Sequence, residues 1–226
     1  MDIVTPQFWV AALEIIVINI LLSGDNAVVI ALACRNLPPK QRRWGIFWGA
    51  IGAIVLRIIL TFFAVSLLKL PWLKIVGGIA LVWIGIKLIA AEESDDVEIK
   101  GSEQLLSAVW TVIVADVVMS IDNVLGVAAA AKGSLLLLVF GLVISIPLII
   151  AGAQLVMKAI ERYPVLIVAG GGLLGFIAGE LIIDDTAISP WVAAKASWLD
   201  WVAPIAGIAL VVGPAKWLQA RRGHAA

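Results

Sequence analysis

Histidine, cysteine and tyrosine occur once each in 226 residues, and only 14% of the chain is charged. Each scarcity excludes something. A single cysteine, Cys34, rules out an intrachain disulfide and any multi-cysteine metal centre. The only histidine is His224, in the C-terminal tail. Zinc, copper and iron sites usually draw on Cys or His, so such sites are disfavoured. Formal net charge is zero, with no basic block or base-stacking motif, and no nucleic-acid partner is expected. Soluble domains carry about a quarter of their residues as charges, so most of this chain faces something other than water. The opening Met1-Asp2-Ile3 lacks the positive leader and small-residue cleavage site of a signal peptide, so the first apolar segment is expected to stay as an anchor.

What the chain has instead is apolar length. Hydrophobic residues make up 62% of it and mean hydropathy is +1.09. A spanning helix needs ~20 mainly apolar residues. The sequence predicts an all-α transmembrane fold with seven such spans, near 8–33, 44–68, 72–91, 105–131, 134–158, 164–183 and 200–218. Pro38-Pro39 with four cations, Lys69-Leu70-Pro71, and the acidic stretch 92–104 separate them. Lys and Arg counts set orientation. Ten fall on the side of the C-terminus and four on the other, which predicts an outside N-terminus, a cytoplasmic C-terminus and a cytoplasmic acidic loop.

The chain repeats itself. Asn19-x3-Ser23-x-Asp25-Asn26 recurs as Asp116-x3-Ser120-x-Asp122-Asn123 at an offset of 97. Pro71-x5-Gly77-Gly78-x2-Leu81 recurs as Pro164-x5-Gly170-Gly171-x2-Leu174 at an offset of 93. Residues 8–91 and 105–183 therefore read as duplicated three-helix units within one transmembrane domain, 1–226, with the span at 200–218 appended. Three is odd, so the second copy starts from the opposite face. Transporters use such inverted repeats to place a site near the membrane midplane.

Ionisable groups at that depth are costly and need a reason. Those in the spans are Glu14, Asp25, Arg57, Lys87, Asp116, Asp122 and Glu180. On an ideal helix of roughly 100° per residue, Asp25 points away from the stripe of Asn19, Ser23 and Asn26, while Glu14 falls close to its face. A helix unwound near Gly24 would turn Asp25 and Asn26 toward one centre, and broken helices are tolerated where they line a cavity. Ile121 stands where the second copy would need that glycine. Carboxylate, amide and hydroxyl oxygens are hard donors suited to magnesium, calcium or manganese. Asp25 and Asp122, with Asp116, would neutralise a dehydrated divalent ion. Ser and Asn alone could equally be interhelical glue. Arg57 could be a counter-charge that an arriving ion displaces, or a fixed structural partner of Glu14 or Asp25. Asp116 or Glu14 could couple transport to protons. Glu180, Asp184 and Asp185 could draw cations to the outer mouth or simply edge a solvated loop. Six tryptophans near span ends (Trp9, Trp44, Trp72, Trp191, Trp198 and Trp217) suit interfacial belts.

The stretches Leu22-Ser23-Gly24-Asp25-Asn26-Ala27-Val28-Val29-Ile30-Ala31 and Ala115-Asp116-Val117-Val118-Met119-Ser120-Ile121-Asp122-Asn123-Val124 resemble the TerC family of integral membrane proteins, named for tellurium resistance. The likeness runs from the first span through the sixth. It implies a relation to lysine-exporter-like transporters of inverted-repeat design, manganese efflux across the bacterial inner membrane, and signature positions at Asp25, Asn26, Asp122 and Asn123 flanked by Asn19 and Asp116. The long cytoplasmic extensions of some relatives are not seen, so regulation through them is not expected. Expected partners are the lipid bilayer and a divalent cation as cargo, with no resident cofactor and no catalytic residues; a homo-oligomer is left open. By the same resemblance amino-acid export is also possible, and would require no manganese dependence, and two readings outside transport compete. A membrane scaffold for metalation or insertion of exported proteins would use the acidic loop 92–104. An intramembrane aspartyl protease would pair the two aspartates, but needs no Asn beside each and has a Pro-Ala-Leu motif that this chain lacks.

Overall fold

The computed structural model describes residues 6–21, 24–67, 70–91, 101–131 and 134–223. The side chains of Asn19, Asp122 and Asn123 lie outside the described residues, as do Ser23, Lys69, His224 and most of the acidic loop, 92–100. Among the described residues the chain is helical without strands: α1 (Pro6–Leu21), α2 (Gly24–Cys34), α3 (Pro39–Leu67), α4 (Leu73–Ala90), α5 (Gly101–Ala130), α6 (Leu135–Arg162), α7 (Val165–Ile183), α8 (Ser189–Lys195) and α9 (Leu199–Gly223).

Six of these, α3 to α7 and α9, are long and apolar enough to cross a bilayer. The expected first span differs. It is described as two helices of 16 and 11 residues, each shorter than the ~20 residues that a crossing needs. Gly24 is a poor residue for a helix interior, and Asp25 is favoured in a first turn, where it complements the N-terminal end of the helix dipole. Residues 22–23, between the two helices, lie outside the described residues. In the second motif copy, α5 runs through Ile121 and Asp122. Elsewhere the breaks match their chemistry. Pro39 opens α3, where its missing N–H costs nothing. Pro147 lies inside α6, and Pro204 and Pro214 inside α9, positions that transmembrane helices tolerate. The short α8 falls in a stretch expected to be loop; seven residues are too few to show a helical period.

The helices form two compact units that cut across the sequence repeats. The first holds residues 1–67 and 101–157, so α1, α2 and α3 share it with α5 and most of α6. Glycines let its helices approach. A Cβ at Gly49 would meet the Val112 side chain at 3.1 Å, one at Gly52 would meet Ile113 at 2.8 Å, and one at Gly141 would press into Ile15. Ile15, Ala50, Ile54, Val112, Ala115 and Leu142 are buried around these contacts.

The second unit holds residues 68–100 and 158–226, bringing α4 together with α7, α8 and α9. Its packing is closer still. A Cβ on Gly175 would collide with the Gly207 carbonyl, one on Gly207 with the Gly175 carbonyl, and one on Gly179 with the Ala203 carbonyl. The α7 and α9 backbones thus touch directly, the small-residue mode of helix association in membranes. Both ends of α4 are held by other helices' side chains or loops. At its start, the Asp185 carboxylate accepts N–H bonds from Trp72 (2.9 Å), Lys74 (3.0 Å) and Ile75 (3.4 Å), plus one from Ala187 (2.8 Å). At its end, the Gln219 side-chain amide donates to the Ile89 carbonyl at 2.8 Å. These bonds satisfy backbone groups that a helix terminus leaves orphaned. Asp185 is fully buried, which corrects its expected place at a solvated outer mouth. Burial pushes its carboxyl up, but the bonds from Ala187, Trp72, Ile75 and Lys74 outweigh that and hold it below its ordinary value. Trp72 has a left-handed φ of 71°, uncommon for a bulky residue, and its N–H points into this carboxylate.

Outward faces are apolar, as a bilayer requires. Phe62, Leu106, Leu155 and Trp201 are all at least 70% exposed. The six tryptophans expected at span ends are each more than half exposed.

Candidate functional site

The polar residues of the first unit converge on one small cavity. The first turn of α2 supplies Asp25 and Asn26. Asp25 is half-buried and its Oδ1 accepts the Asn26 backbone N–H at 2.7 Å. The Asn26 side chain is buried, 4% exposed, and among the described residues neither its Oδ1 nor its Nδ2 has a hydrogen-bond partner. Buried amides almost always have partners, so an orphan of this kind calls for a reason.

Opposite it, α3 carries Arg57 at 1% exposure, deep within a helix of 29 residues. Its Nη2 donates to Asp116 Oδ1 of α5 at 2.6 Å, and its Nε donates to Ser120 Oγ at 3.0 Å. The Ser120 hydroxyl in turn donates to Asp116 Oδ2 at 3.2 Å. Guanidinium, hydroxyl and carboxylate thus close a ring of bonds one helical turn long on α5. The Thr61 hydroxyl donates to the Arg57 carbonyl at 2.7 Å, one turn along α3. Asn26, Arg57 and Asp116 line a cavity of about 10 Å³ whose other walls include Ile30, Ala53, Ile54, Val112 and Ile149. By that measure it has room for about one water-sized sphere.

The structure therefore brings together Asn26, Arg57 and Asp116 from the residues singled out in the sequence. Arg57 bonds to Asp116, one of the expected ligands and a partner beyond the Glu14 and Asp25 that the sequence alone suggested. Opposite charges at mid-span in the second and fourth segments were the available signal for that pair. Glu14 is exposed on α1. Asp122 and Asn123 lie in α5, six and seven residues beyond Asp116, and Asn19 lies in α1, but their side chains are outside the described residues. Among the described residues no group of three or more His, Cys, Asp or Glu converges on a common point. The oxygens available at the cavity are those of Asn26 and of Asp116, the latter engaged by Arg57 and Ser120.

Comparison with known proteins agrees with the membrane architecture. The chain is 42% identical over 206 residues to the uncharacterized membrane protein YjbE of Bacillus subtilis, covering 91% of this chain and 94% of that one. It is 29% identical over 182 residues to the uncharacterized membrane protein YceF of the same organism, covering 76% and 70%. It is 24% identical over 202 residues to the inner membrane protein YgdQ of Escherichia coli, covering 81% and 84%. No solved structure matches the chain. The family model described as integral membrane protein TerC family matches residues 4–223. With nearly its whole length matched and six apolar helices of crossing length, this multi-pass membrane protein belongs to the TerC family.

Proposed function

We propose that the protein is a secondary transporter that exports a divalent metal cation, most specifically Mn²⁺, across the bacterial inner membrane. The observation that carries this reading is the Asn26 side chain. It is a hard oxygen donor, buried in the first described turn of α2 next to Asp25, lining a small cavity, with no hydrogen-bond partner among the described residues. A buried amide without a partner costs about 1–3 kcal/mol, and a cation that its carbonyl helps to ligate gives that cost a use. Asp25 supplies charge next to it, and Asp122 and Asn123 repeat the same pair on α5. Oxygen-only donors favour manganese, magnesium or calcium over softer metals; the TerC resemblance supplies the choice among them. The name of the Escherichia coli relative fits an inner-membrane location, and the Lys and Arg distribution fits a cytoplasmic C-terminus.

Ion uptake into everted membrane vesicles tests this. Vesicles holding the wild-type chain should accumulate Mn²⁺. Asp25→Ala and Asp122→Ala should each weaken apparent affinity or uptake by about 10–100-fold, the usual effect of disturbing a metal site. Undiminished uptake by both variants would refute the assignment.

A further inference from the structure

The Arg57–Asp116 pair has an unusual setting for a structural salt bridge. Ion pairs that only hold helices together are closed off by packing, because a desolvated pair needs every remaining donor and acceptor satisfied. This pair borders a cavity that is also lined by Asn26, whose amide has no hydrogen-bond partner among the described residues. The guanidinium is buried, and Arg57 is only 1% exposed. Both oxygens of Asp116 are engaged, one by Arg57 and the other by Ser120. The site in this state thus already holds a cation, covalently attached to α3.

We infer that Arg57 is a tethered stand-in for the cargo: it neutralises Asp116 in the ion-free carrier, and an arriving divalent cation displaces it from that carboxylate. The inference rests on the cation-transport reading and adds a second role to the same site. An empty carrier with a bare carboxylate in a low-dielectric interior would meet a large electrostatic penalty during its return step. Arg57 removes that penalty. The loaded carrier needs no such help, because the cargo itself neutralises Asp116. Ser120 keeps the exchange local. Its hydroxyl contacts both partners and can stay bonded to one as the other leaves. Arg57 therefore governs the ratio of net release to exchange, since only net release requires the empty carrier to reorient.

The test uses the full chain in proteoliposomes, with Mn²⁺ as the ion. Net release down a gradient and isotopic Mn²⁺/Mn²⁺ exchange are measured side by side. Arg57→Gln, which can still bond to Asp116 and Ser120, should raise the ratio of exchange to net release by about tenfold or more, as expected when a carboxylate loses its buried partner. A ratio equal to that of wild type, whether both rates fall or neither does, would assign the pair to the fold alone. The charge-matched Arg57→Gln/Asp116→Asn protein covers a single variant that does not fold. It should show a near-wild-type ratio but an apparent Mn²⁺ affinity lowered by about tenfold, because a ligand is gone. Unchanged affinity in that folded double variant overturns the inference. Wild-type vesicles that move Mn²⁺ in neither mode overturn cation transport itself, and this inference with it. Wild-type transport with either adverse result in the variants overturns this inference alone.

Discussion

Replacing Asp185 by Asn should destabilise the protein by several degrees at neutral pH while changing neither size nor hydrophobicity. In the native chain one carboxylate oxygen accepts from Trp72 and Ala187, and the other from Lys74 and Ile75. An amide in the same place keeps one pair of bonds. Its NH₂ group then faces the other two N–H groups, donor against donor, at a fully buried position. Hydrogen bonds to a charged group contribute about 1.5–3 kcal/mol each, and an unsatisfied buried donor costs about 1–3 kcal/mol. The Ile75 contact is long, at 3.4 Å, so a loss of about 2–4 kcal/mol is expected rather than the full sum. For a chain of this size that corresponds to a fall in Tm of about 5–12 °C. Thermal unfolding of the purified chain in detergent, followed by tryptophan fluorescence, reads it directly. The pH dependence has a definite sign. The native carboxyl is held below its ordinary value, so its contribution is complete above the unfolded pKa of ~3.9 and is lost as pH falls through the lower native value. The gap between wild type and variant should be constant from about pH 7 to 5 and narrow below about pH 4. A gap under about 1 °C at neutral pH, or one that widens on acidification, would show that Asp185 does not anchor α4.

Two further outcomes follow from packing and burial. Gly207→Ala drives a methyl group into the Gly175 carbonyl, a backbone atom that cannot swing aside; it should cost at least about 3 kcal/mol, whereas Gly213→Ala, with open space around its Cβ position, should change stability by less than about 0.5 kcal/mol. An equal effect of the two on Tm would refute the close α7–α9 contact. Asn26→Leu removes an amide with no hydrogen-bond partner among the described residues but adds bulk beside a cavity of about 10 Å³; the two terms, each about 1–3 kcal/mol, oppose one another, so Tm should move by no more than about 4 °C while Mn²⁺ uptake is abolished, and a variant that still transports would remove Asn26 from the site.

Much of this was legible in the residues because membrane helices advertise themselves by length and hydropathy. Five of the expected spans coincide with helices to within a few residues, and α3, at Pro39, starts only five residues early. The intramembrane charges Arg57 and Asp116 stood out as expensive, but the sequence could not pair them. Pairing depends on which helices touch, and hydropathy carries no information about neighbours. The same limit hid the grouping of α4 with α7 and α9, because the glycine faces that select partners are read only once the helices are side by side. Asp185 was misread as loop edge for a related reason. Its burial comes from the start of α4, 113 residues earlier in the chain.

That interleaving has a consequence for how the chain is made. Arg57 enters the membrane 59 residues before Asp116 has been synthesised. At ~5–20 residues per second, the guanidinium waits several seconds for its carboxylate. An arginine at the centre of a lone inserted helix carries a penalty of about 2.5–3.5 kcal/mol. During that interval α3 must be retained by its own hydropathy or sheltered by the insertion machinery. The first turn of α4 waits longer, since Asp185 arrives 113 residues after Trp72. The order of helices along the chain thus makes the second half of synthesis the step that commits the first half to its place in the membrane.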